Sequence, residues 1–227
     1  GSACVRARIV TAGTGALLPT GEAPNGEVED HIAPVGVEDP AIGVGKRLIS
    51  VVRDGSMGVA TFEVTLENYG NVPLSEVNAT ADFATAFAAA ASFTVESLTS
   101  ADFVVNPVFD GDTDINLLAA GNTLAVGALG RIEVVVRVDP GGFAGPYLCS
   151  SIGTGTSPED VVVTDVSQDG GDPDPNGDGD PNNDEEPTVI TFEISVLEIP
   201  TMSEWGLAML AVLLAGVGVG ALRRRNV

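Results

Sequence analysis

An unbroken apolar run near the C terminus places the tightest constraint on how this chain folds. The run extends from Leu207 to Leu222 without a charged, polar or proline side chain, and it ends at three arginines, Arg223–Arg225. With Trp205 and Gly206 it falls within the roughly 17–25 apolar residues that a helix needs to cross a bilayer. Because lipid offers no partner for backbone amides, a segment placed there must be helical. The sequence therefore predicts a single transmembrane α-helix over residues 205–222.

The residues that flank this run set its orientation. Trp205 is suited to a headgroup interface, and the arginines at 223–225 act as a membrane stop that stays in the cytoplasm. Thr201 and Glu204 have the spacing of a capping box, in which each side chain satisfies a free backbone donor of the first helical turn. The sequence predicts a single-pass membrane protein with an outward-facing N-terminal part.

The same segment carries a recognisable motif. It resembles the IPTL-CTERM sorting signal of bacterial surface proteins, a relative of the PEP-CTERM signals that exosortase-type membrane proteases process. Met202 replaces the usual leucine, and both side chains are flexible and apolar. The matching motif residues are Ile199, Pro200, Thr201, Met202, Ser203, Glu204, Trp205 and Gly206.

This resemblance implies that the chain is processed, and it also implies where the chain is located. An exosortase-like protease is expected to cleave near Ile199–Thr201, and the outer part is then released or transferred. The alternative is a permanent anchor that is never cut. In both cases the resemblance implies a protein at the cell surface, or one that is secreted after processing.

The net charge of the chain limits the classes of molecule that it can bind. The formal net charge is −22, with 32 acidic residues against 10 basic ones. A surface this acidic repels the phosphates of nucleic acids and anionic lipid headgroups, so nucleic acid is not an expected partner. It favours solubility and the binding of divalent cations.

Residues 38–198 have the pattern of an all-β unit. Apolar and polar residues alternate along Thr61–Glu67 and again along Arg131–Val138, which is the period of a half-buried strand. Further strand candidates, among them residues 103–105 and 147–154, follow at short intervals and are separated by turn clusters such as Asp139–Gly142. Strands at this spacing are typical of a Greek-key β-sandwich. The predicted fold class is all-β, a β-sandwich followed by the C-terminal helix.

Parts of this unit resemble an immunoglobulin-like repeat domain of bacterial cell-surface proteins. The resembling stretches are 64–74, 108–118 and 167–181, and the similarity extends over nearly all of 45–192. The resemblance implies an adhesive, matrix or spacer module without catalytic residues. The alternative is a carbohydrate- or matrix-binding adhesin module. Surface polysaccharide or neighbouring surface proteins are the expected partners.

A third resemblance concerns the first 37 residues. Gly26–His31 resembles the GEVEDY motif that closes a β-sandwich module in large bacterial surface proteins, with His31 in place of the usual tyrosine. Residues 1–37 are therefore interpreted as the C-terminal end of a truncated module. The predicted domains are 1–37, 38–198 and 199–227.

An acidic loop at residues 169–186 is the strongest candidate for a metal site. Alternating Asp and Asn residues around a glycine turn can direct several oxygens inward, which is what calcium requires. The alternative is a solvated loop between two strands, stiffened by prolines. The predicted calcium ligands are Asp172, Asp174, Asn176, Asp178, Asp180 and Asp184.

Cysteine and histidine are scarce. Cys4 and Cys149 are the two cysteines, and an exported location allows either a disulfide between them or two buried thiols. A catalytic Ser–His or Cys–His pair would have to use His31, the single histidine. Two cysteines and one histidine, all distant in sequence, exclude a zinc site of the usual kind. The abundant acidic residues leave a glycosidase that uses two carboxylates as an alternative, but the sequence shows no sign of an aromatic-lined cleft. It therefore predicts that the chain is not an enzyme.

Overall fold

The structure, a computed structural model, describes residues 2–9, 27–34, 36–193, 209 and 211–214, with backbone alone in the first two ranges. The chain divides into two compact units, Gly1–Glu193 and Ile194–Val227. Each unit is described by itself.

Strands dominate the described part of the first unit. A single helical turn, α1, covers Phe83–Ala86, and a 3-10 helix covers Pro181–Asn183. The strands are β1 (Ser2–Ile9), β2 (Glu27–Pro34), β3 (Ile42–Asp54), β4 (Met57–Asn68), β5 (Ser75–Thr80), β6 (Ser92–Thr99), β7 (Leu129–Asp139), β8 (Tyr147–Cys149), β9 (Ile152–Thr156), β10 (Val162–Val166), β11 (Gln168–Asp169) and β12 (Thr188–Ile190).

These strands form sandwich-like sheets. The largest sheet has the order β11-β3-β4-β7-β6, and smaller sheets have the orders β10-β9-β5 and β12-β8. Pairing is antiparallel except at one edge, where the two residues of β11 run parallel to Gly45 and Lys46 of β3. The prediction of a mostly β fold with sandwich-like sheets is confirmed.

Alternating side chains explain why the central strands form. Along β4 and β7 every second side chain is buried, including Phe62 and Val64 on β4 and Ile132 and Val134 on β7. One face of each strand thus packs on the core while the other carries polar side chains. The two strands predicted from alternation, at 61–67 and 131–138, are both present.

Aromatic rings form a connected cluster in the core. Phe83 of α1 stacks on Phe62 and Phe87, with ring centroids 5.8 and 5.7 Å apart. Phe87 in turn contacts Tyr147 at 5.4 Å, and Tyr147 contacts Phe192 at 5.6 Å. Because aromatic side chains bury large apolar areas, this cluster supplies much of the packing between the sheets.

Some elements differ from the sequence prediction. A single strand was expected over residues 147–154, but the chain leaves the strand conformation at Ser150 and Ser151 and forms β8 and β9 on either side. The expected strand at 103–105 is reduced to an isolated bridge between Val105 and Leu118. The sequence of the alanine-rich segment 83–91 left open one helical turn or a loose crossover, and the structure has one helical turn there, at Phe83–Ala86.

β1 and β2 pair with each other as an antiparallel hairpin, in a register that places Ser2 opposite Pro34 and Val5 opposite His31. The interpretation of residues 1–37 as the end of a truncated module stays a prediction. The predicted boundaries after residues 37 and 198 stay predictions.

In the second unit, Met209 and residues 211–214 are helical. Within the described residues, no helix is long and apolar enough to cross a membrane. Most of the predicted membrane segment, 205–222, lies outside them. The transmembrane helix therefore has no support from the structure and stays a prediction.

Candidate functional site

The acidic loop of residues 169–186 lies directly over β3, and two glycines make this possible. Gly43 and Gly45 are buried on the face of β3 that the loop covers. A Cβ on Gly43 would meet Pro173 Cβ at 2.8 Å, and one on Gly45 would meet the carbonyl oxygen of Gly170 at 2.9 Å. Any larger residue at these positions would push the loop away, so the glycines permit the close approach.

Both ends of the loop are fixed to one atom of the sheet. The backbone N–H of Gly170 donates to the carbonyl oxygen of Lys46 at 2.8 Å. The Thr188 hydroxyl donates to the same oxygen at 2.7 Å. At the far end the Glu186 N–H also donates to Gln168 Oε1 at 2.9 Å. The loop is thus closed at its base, although its sequence is rich in glycine.

Asp174 organises the interior of the loop. Its Oδ1 accepts from the Gly177 N–H at 3.0 Å, and its Oδ2 accepts from the Gly179 N–H at 2.8 Å. Both glycines have positive φ, 72° and 85°, which glycine adopts without steric cost. The Asp174 side chain is therefore committed to holding the turn, and it is 8% exposed.

The remaining predicted ligands belong to the same hydrogen-bond network. Asn176 Oδ1 accepts from the Asp178 N–H at 2.9 Å, and its Nδ2 donates to Asp184 Oδ2 at 3.2 Å. Asp178 Oδ1 accepts from the Asp180 N–H at 2.9 Å. Asp180 in turn caps the 3-10 helix through Asn182. The structure brings all six predicted residues into one loop.

The carboxylates of the loop differ in their electrostatic surroundings. The N–H of Asp180 and the amide of Asn183 lower the pKa of Asp178. Partial burial and the nearby carboxylates of Asp174 and Asp178 raise the pKa of Asp184. Because Asp184 lies in a field of negative charge, a cation placed there would relieve this repulsion.

Burial, together with the carboxylates of Asp172 and Asp174, also raises the pKa of Glu67 on β4. The negative charge of the loop therefore reaches β4, the strand that pairs with β3.

In the structure, the carboxylates of the acidic loop accept hydrogen bonds from amides of the same loop. Across residues 36–193, no group of three or more Asp, Glu, His or Cys side chains is arranged to hold a metal ion. The six residues are close in sequence and space, and their oxygens accept hydrogen bonds from backbone and side-chain amides of the loop itself. Calcium binding by this loop stays a prediction.

The weaker oxygen-rich strip at residues 110–116 forms a turn. Asp110 Oδ1 accepts from the N–H groups of Asp112 and Asp114, each at 2.9 Å. Its Oδ2 accepts from the hydroxyl of Thr113. In the sequence, Asp110, Asp112, Asp114 and Asn116 form a second, weaker oxygen-rich strip that favours an ordinary Asp/Gly turn over a metal site, and these hydrogen bonds form such a turn.

Two charged side chains, those of Lys46 and Asp165, are buried although the sequence did not predict it. Lys46 is fully buried on β3, and Asp165 on β10 is 3% exposed. Lys46 follows the inward-facing Ile42 and Val44 at two-residue spacing, and this spacing could have predicted that its side chain is buried. Nothing in the local sequence distinguishes Asp165 from an exposed aspartate.

Cys149 is also buried, and its sulfur lies 2.8 Å from Lys46 Nζ. Among the described side chains it forms no disulfide. The side chain of Cys4 lies outside the described part of the chain. The predicted Cys4–Cys149 pairing therefore stays a prediction, as does the absence of enzymatic activity.

The C-terminal segment is the second candidate site. The described residues do not include its sorting motif, Ile199–Gly206, or its arginines, Arg223–Arg225. The segment is identified from its sequence. Residues 199–225 match the IPTL-CTERM motif. The predicted sorting signal is thereby confirmed.

The IPTL-CTERM motif indicates an exported protein that is sorted to the surface through its C terminus. No curated protein and no solved structure matches the chain. The resemblances to an immunoglobulin-like repeat and to a GEVEDY module therefore stay predictions.

Proposed function

We propose that this chain is a non-catalytic protein of the cell surface or extracellular matrix. Its C-terminal segment threads the membrane over residues 205–222, stops at Arg223–Arg225, and is cleaved near Ile199–Thr201 by an exosortase-like protease. The IPTL-CTERM match over residues 199–225 is the observation that carries this proposal.

The architecture of the first unit supports a spacer or adhesive role. Its sheets pack around one aromatic cluster, and its acidic surface keeps it soluble and repels anionic membranes. A stiff, soluble, β-rich body suits a protein held outside the membrane. We assign it to the immunoglobulin-like class on the sequence resemblance alone.

The arrangement of aromatic side chains does not favour the alternative function, a carbohydrate-binding module. Such modules present exposed rings along one face, on which sugars stack. Within residues 36–193, Phe143 is the one aromatic residue in the exposed class, at 42%, while Tyr147 is buried in the core. Recognition of neighbouring surface proteins, or of polysaccharide through polar contacts, fits this surface better.

Calcium enters the proposal as a stabiliser of the acidic loop. Asp184 lies beside the carboxylates of Asp174 and Asp178, and a divalent cation would offset their mutual repulsion. Bound calcium would fix the loop more firmly over β3.

The sorting proposal is tested in a bacterium that carries an exosortase-type protease. The full chain is expressed behind a secretory signal with an N-terminal epitope, and the mature C terminus is determined by mass spectrometry. A C terminus near residues 199–201 is expected, together with loss of the epitope when intact cells are shaved with protease. Recovery of the uncut chain in the cytosol would overturn the proposal.

Two variants separate sorting from anchoring. The double substitution Pro200→Ala and Thr201→Ala should block cleavage and leave the chain in the membrane. Replacing Arg223, Arg224 and Arg225 by alanine should remove the stop and send uncut protein into the medium. Asp112→Ala, in a surface turn far from the motif in sequence, is the control and should be processed normally.

A further inference from the structure

Lys46 occupies an unusual place in the core. It is among the largest of the fully buried side chains, at 0% exposure, and its Nζ approaches Cys149 Sγ at 2.8 Å, Ser151 Oγ at 3.2 Å and the carbonyl oxygen of Ser150 at 3.3 Å. The ion pairs among the described residues do not include it. Removing an ammonium from water without a carboxylate partner is costly.

Apolar rings enclose the same nitrogen. The centroids of Phe62 and Phe83 each lie 5.2 Å from Nζ. Cation–π attraction offsets part of the cost of burying a charge. It does not explain why a thiol lies on the remaining side, since a hydroxyl or a carbonyl would accept from an ammonium more strongly.

The separation of nitrogen and sulfur is the decisive observation. A charge-assisted N–H···O bond has a length of about 2.7–2.9 Å. Sulfur is a larger atom than oxygen, so an N–H···S contact is ordinarily longer, yet Nζ and Sγ are 2.8 Å apart. This distance fits two atoms that are joined through one small bridging atom, and it is too long for a direct N–S bond.

We propose that Lys46 and Cys149 form an oxidative covalent cross-link in which one oxygen atom joins Nζ to Sγ. With dioxygen as the oxidant, the neutral amine, the thiol and O₂ give the Nζ–O–Sγ link and one water. One N–H bond and the S–H bond break, and N–O and O–S bonds form. Nitrogen and sulfur each lose two electrons, and these four electrons reduce both oxygen atoms.

The position of the pair favours this reaction over competing ones. Oxidation of a cysteine begins with the addition of an oxygen atom at sulfur, and here the Lys46 amine lies 2.8 Å from that sulfur. The second two-electron oxidation by the same dioxygen joins this oxygen to Nζ, so that the oxygen is kept in the link and is not expelled as water. Cys149 is fully buried, so large thiols reach it poorly while a small oxidant can diffuse in. An oxidising location outside the cytoplasm would preserve the product.

The link would join strands of different sheets. Lys46 lies on β3 of the largest sheet, and Cys149 lies on β8, which pairs with β12. The two residues are 103 positions apart in sequence. Closing so long a loop restricts the unfolded chain strongly, as an inter-sheet disulfide does, and should raise Tm by on the order of 10 °C.

Mass spectrometry of the full chain in detergent tests the proposal. After exposure to oxygenated buffer, the intact mass should show a loss of two hydrogens and a gain of one oxygen relative to the reduced protein. Trypsin should no longer cut at Lys46, and its peptide should be joined to that of Cys149. Excess thiol should restore the amine and the thiol with release of water, which takes four electrons, and should lower Tm.

Two variants keep the test independent of folding. Lys46→Met retains the length of the buried stem without an amine, and Cys149→Ala removes the sulfur. Both should fold, and both should lose the mass change and the effect of oxygen on Tm. Ser151→Ala, which leaves both cross-linked atoms in place, should retain them.

Three results would overturn the proposal. A peptide that joins Cys4 to Cys149 would show that the sulfur forms a disulfide. A joined Lys46–Cys149 peptide without the added oxygen would show a direct N–S bond. Free alkylation of Cys149 in the unfolded, unreduced protein after oxygen exposure would show no cross-link.

Discussion

Asp165 Oδ2 accepts a hydrogen bond from the backbone N–H of Val44 at 2.6 Å, and this contact joins β10 to the start of β3. The other oxygen of the same carboxylate, Oδ1, is buried without a hydrogen-bond partner among the described residues. Burial raises the pKa of Asp165 to about 7, against the lowering effect of the Val44 and Val166 N–H groups. The carboxylates of Glu185 and Asp180 add to the rise.

This raised pKa predicts that stability falls as pH rises. Between about pH 4 and pH 7 the folded chain holds a proton on Asp165 that the unfolded chain releases, so the folded state is favoured at the acidic end. The contribution is lost as pH rises through about 7, and its size is on the order of 4 kcal/mol. Urea unfolding at several pH values measures the slope.

Asp165→Asn isolates this contribution. The amide keeps an acceptor for the Val44 N–H and cannot ionise, so the variant should lose the decline in unfolding free energy between pH 4 and pH 7. Asp169→Asn, at an exposed position nearby in sequence, should follow the wild-type profile. Equal slopes for wild type and Asp165→Asn would contradict the assignment.

The turn that follows Phe109 should respond to pH in the opposite direction. The Thr113 hydroxyl and the N–H groups of Asp114 and Asp112 lower the pKa of Asp110 to about 2. A lowered pKa contributes stability above the ordinary value of 3.8 and loses it as pH falls toward 2. NMR titration of the Asp110 carboxyl carbon should give a midpoint near 2.

Substitution offers a second check on this turn. Asp110→Ala removes the acceptor for two backbone N–H groups and should lower Tm. Asp112→Ala is the matched control, since the Asp112 side chain takes no part in these hydrogen bonds. A titration midpoint near 4, or equal Tm values for the two variants, would count against the described hydrogen bonds.

The calcium prediction is tested by melting the chain in EDTA and in excess calcium. If the acidic loop binds the ion, Tm should rise in calcium, because ligand binding to the folded state stabilises it by mass action. Asp184→Asn keeps the oxygen that accepts from Asn176 but removes one negative charge. It should therefore reduce the calcium effect without lowering Tm in EDTA.

Asp112→Asn removes a charge from the other acidic turn and should leave the calcium effect intact. Identical melting curves in EDTA and calcium for the wild-type chain would rule out a calcium site that stabilises the fold.

Sequence reasoning succeeded where one strand face is apolar. β4 and β7 alternate over most of their length because each lies in the middle of the large sheet and buries one face. The start of β3 lacks this signal, since its covered outer positions are Gly43 and Gly45 and its inward series ends in Lys46. In such a strand, a loop covers one face and a buried lysine lies on the other. Apolar and polar residues therefore do not alternate along its sequence.

Contacts between distant residues account for what else was missed. The acidic loop was found from composition, but its attachment to the Lys46 carbonyl depends on residues more than a hundred positions away. Likewise, Lys46 meets Cys149 only because β3 and β8 belong to packed sheets. Local pattern identifies the elements, whereas tertiary packing decides which polar groups become buried partners.

Gly153 of β9 is predicted to be intolerant of a side chain. A Cβ there would lie 2.4 Å from Val44 Cγ2 and 3.1 Å from Leu66 Cδ2, both on buried core residues. Such overpacking typically costs about 1–3 kcal/mol, so Gly153→Ala should lower the urea midpoint with little change in m. Gly142→Ala is the matched control, since a Cβ there meets nothing within 4 Å. That variant should be neutral or slightly stabilising, because alanine restricts the unfolded chain. Equal midpoints for the two variants would mean that β9 does not pack against β3 and β4 as described.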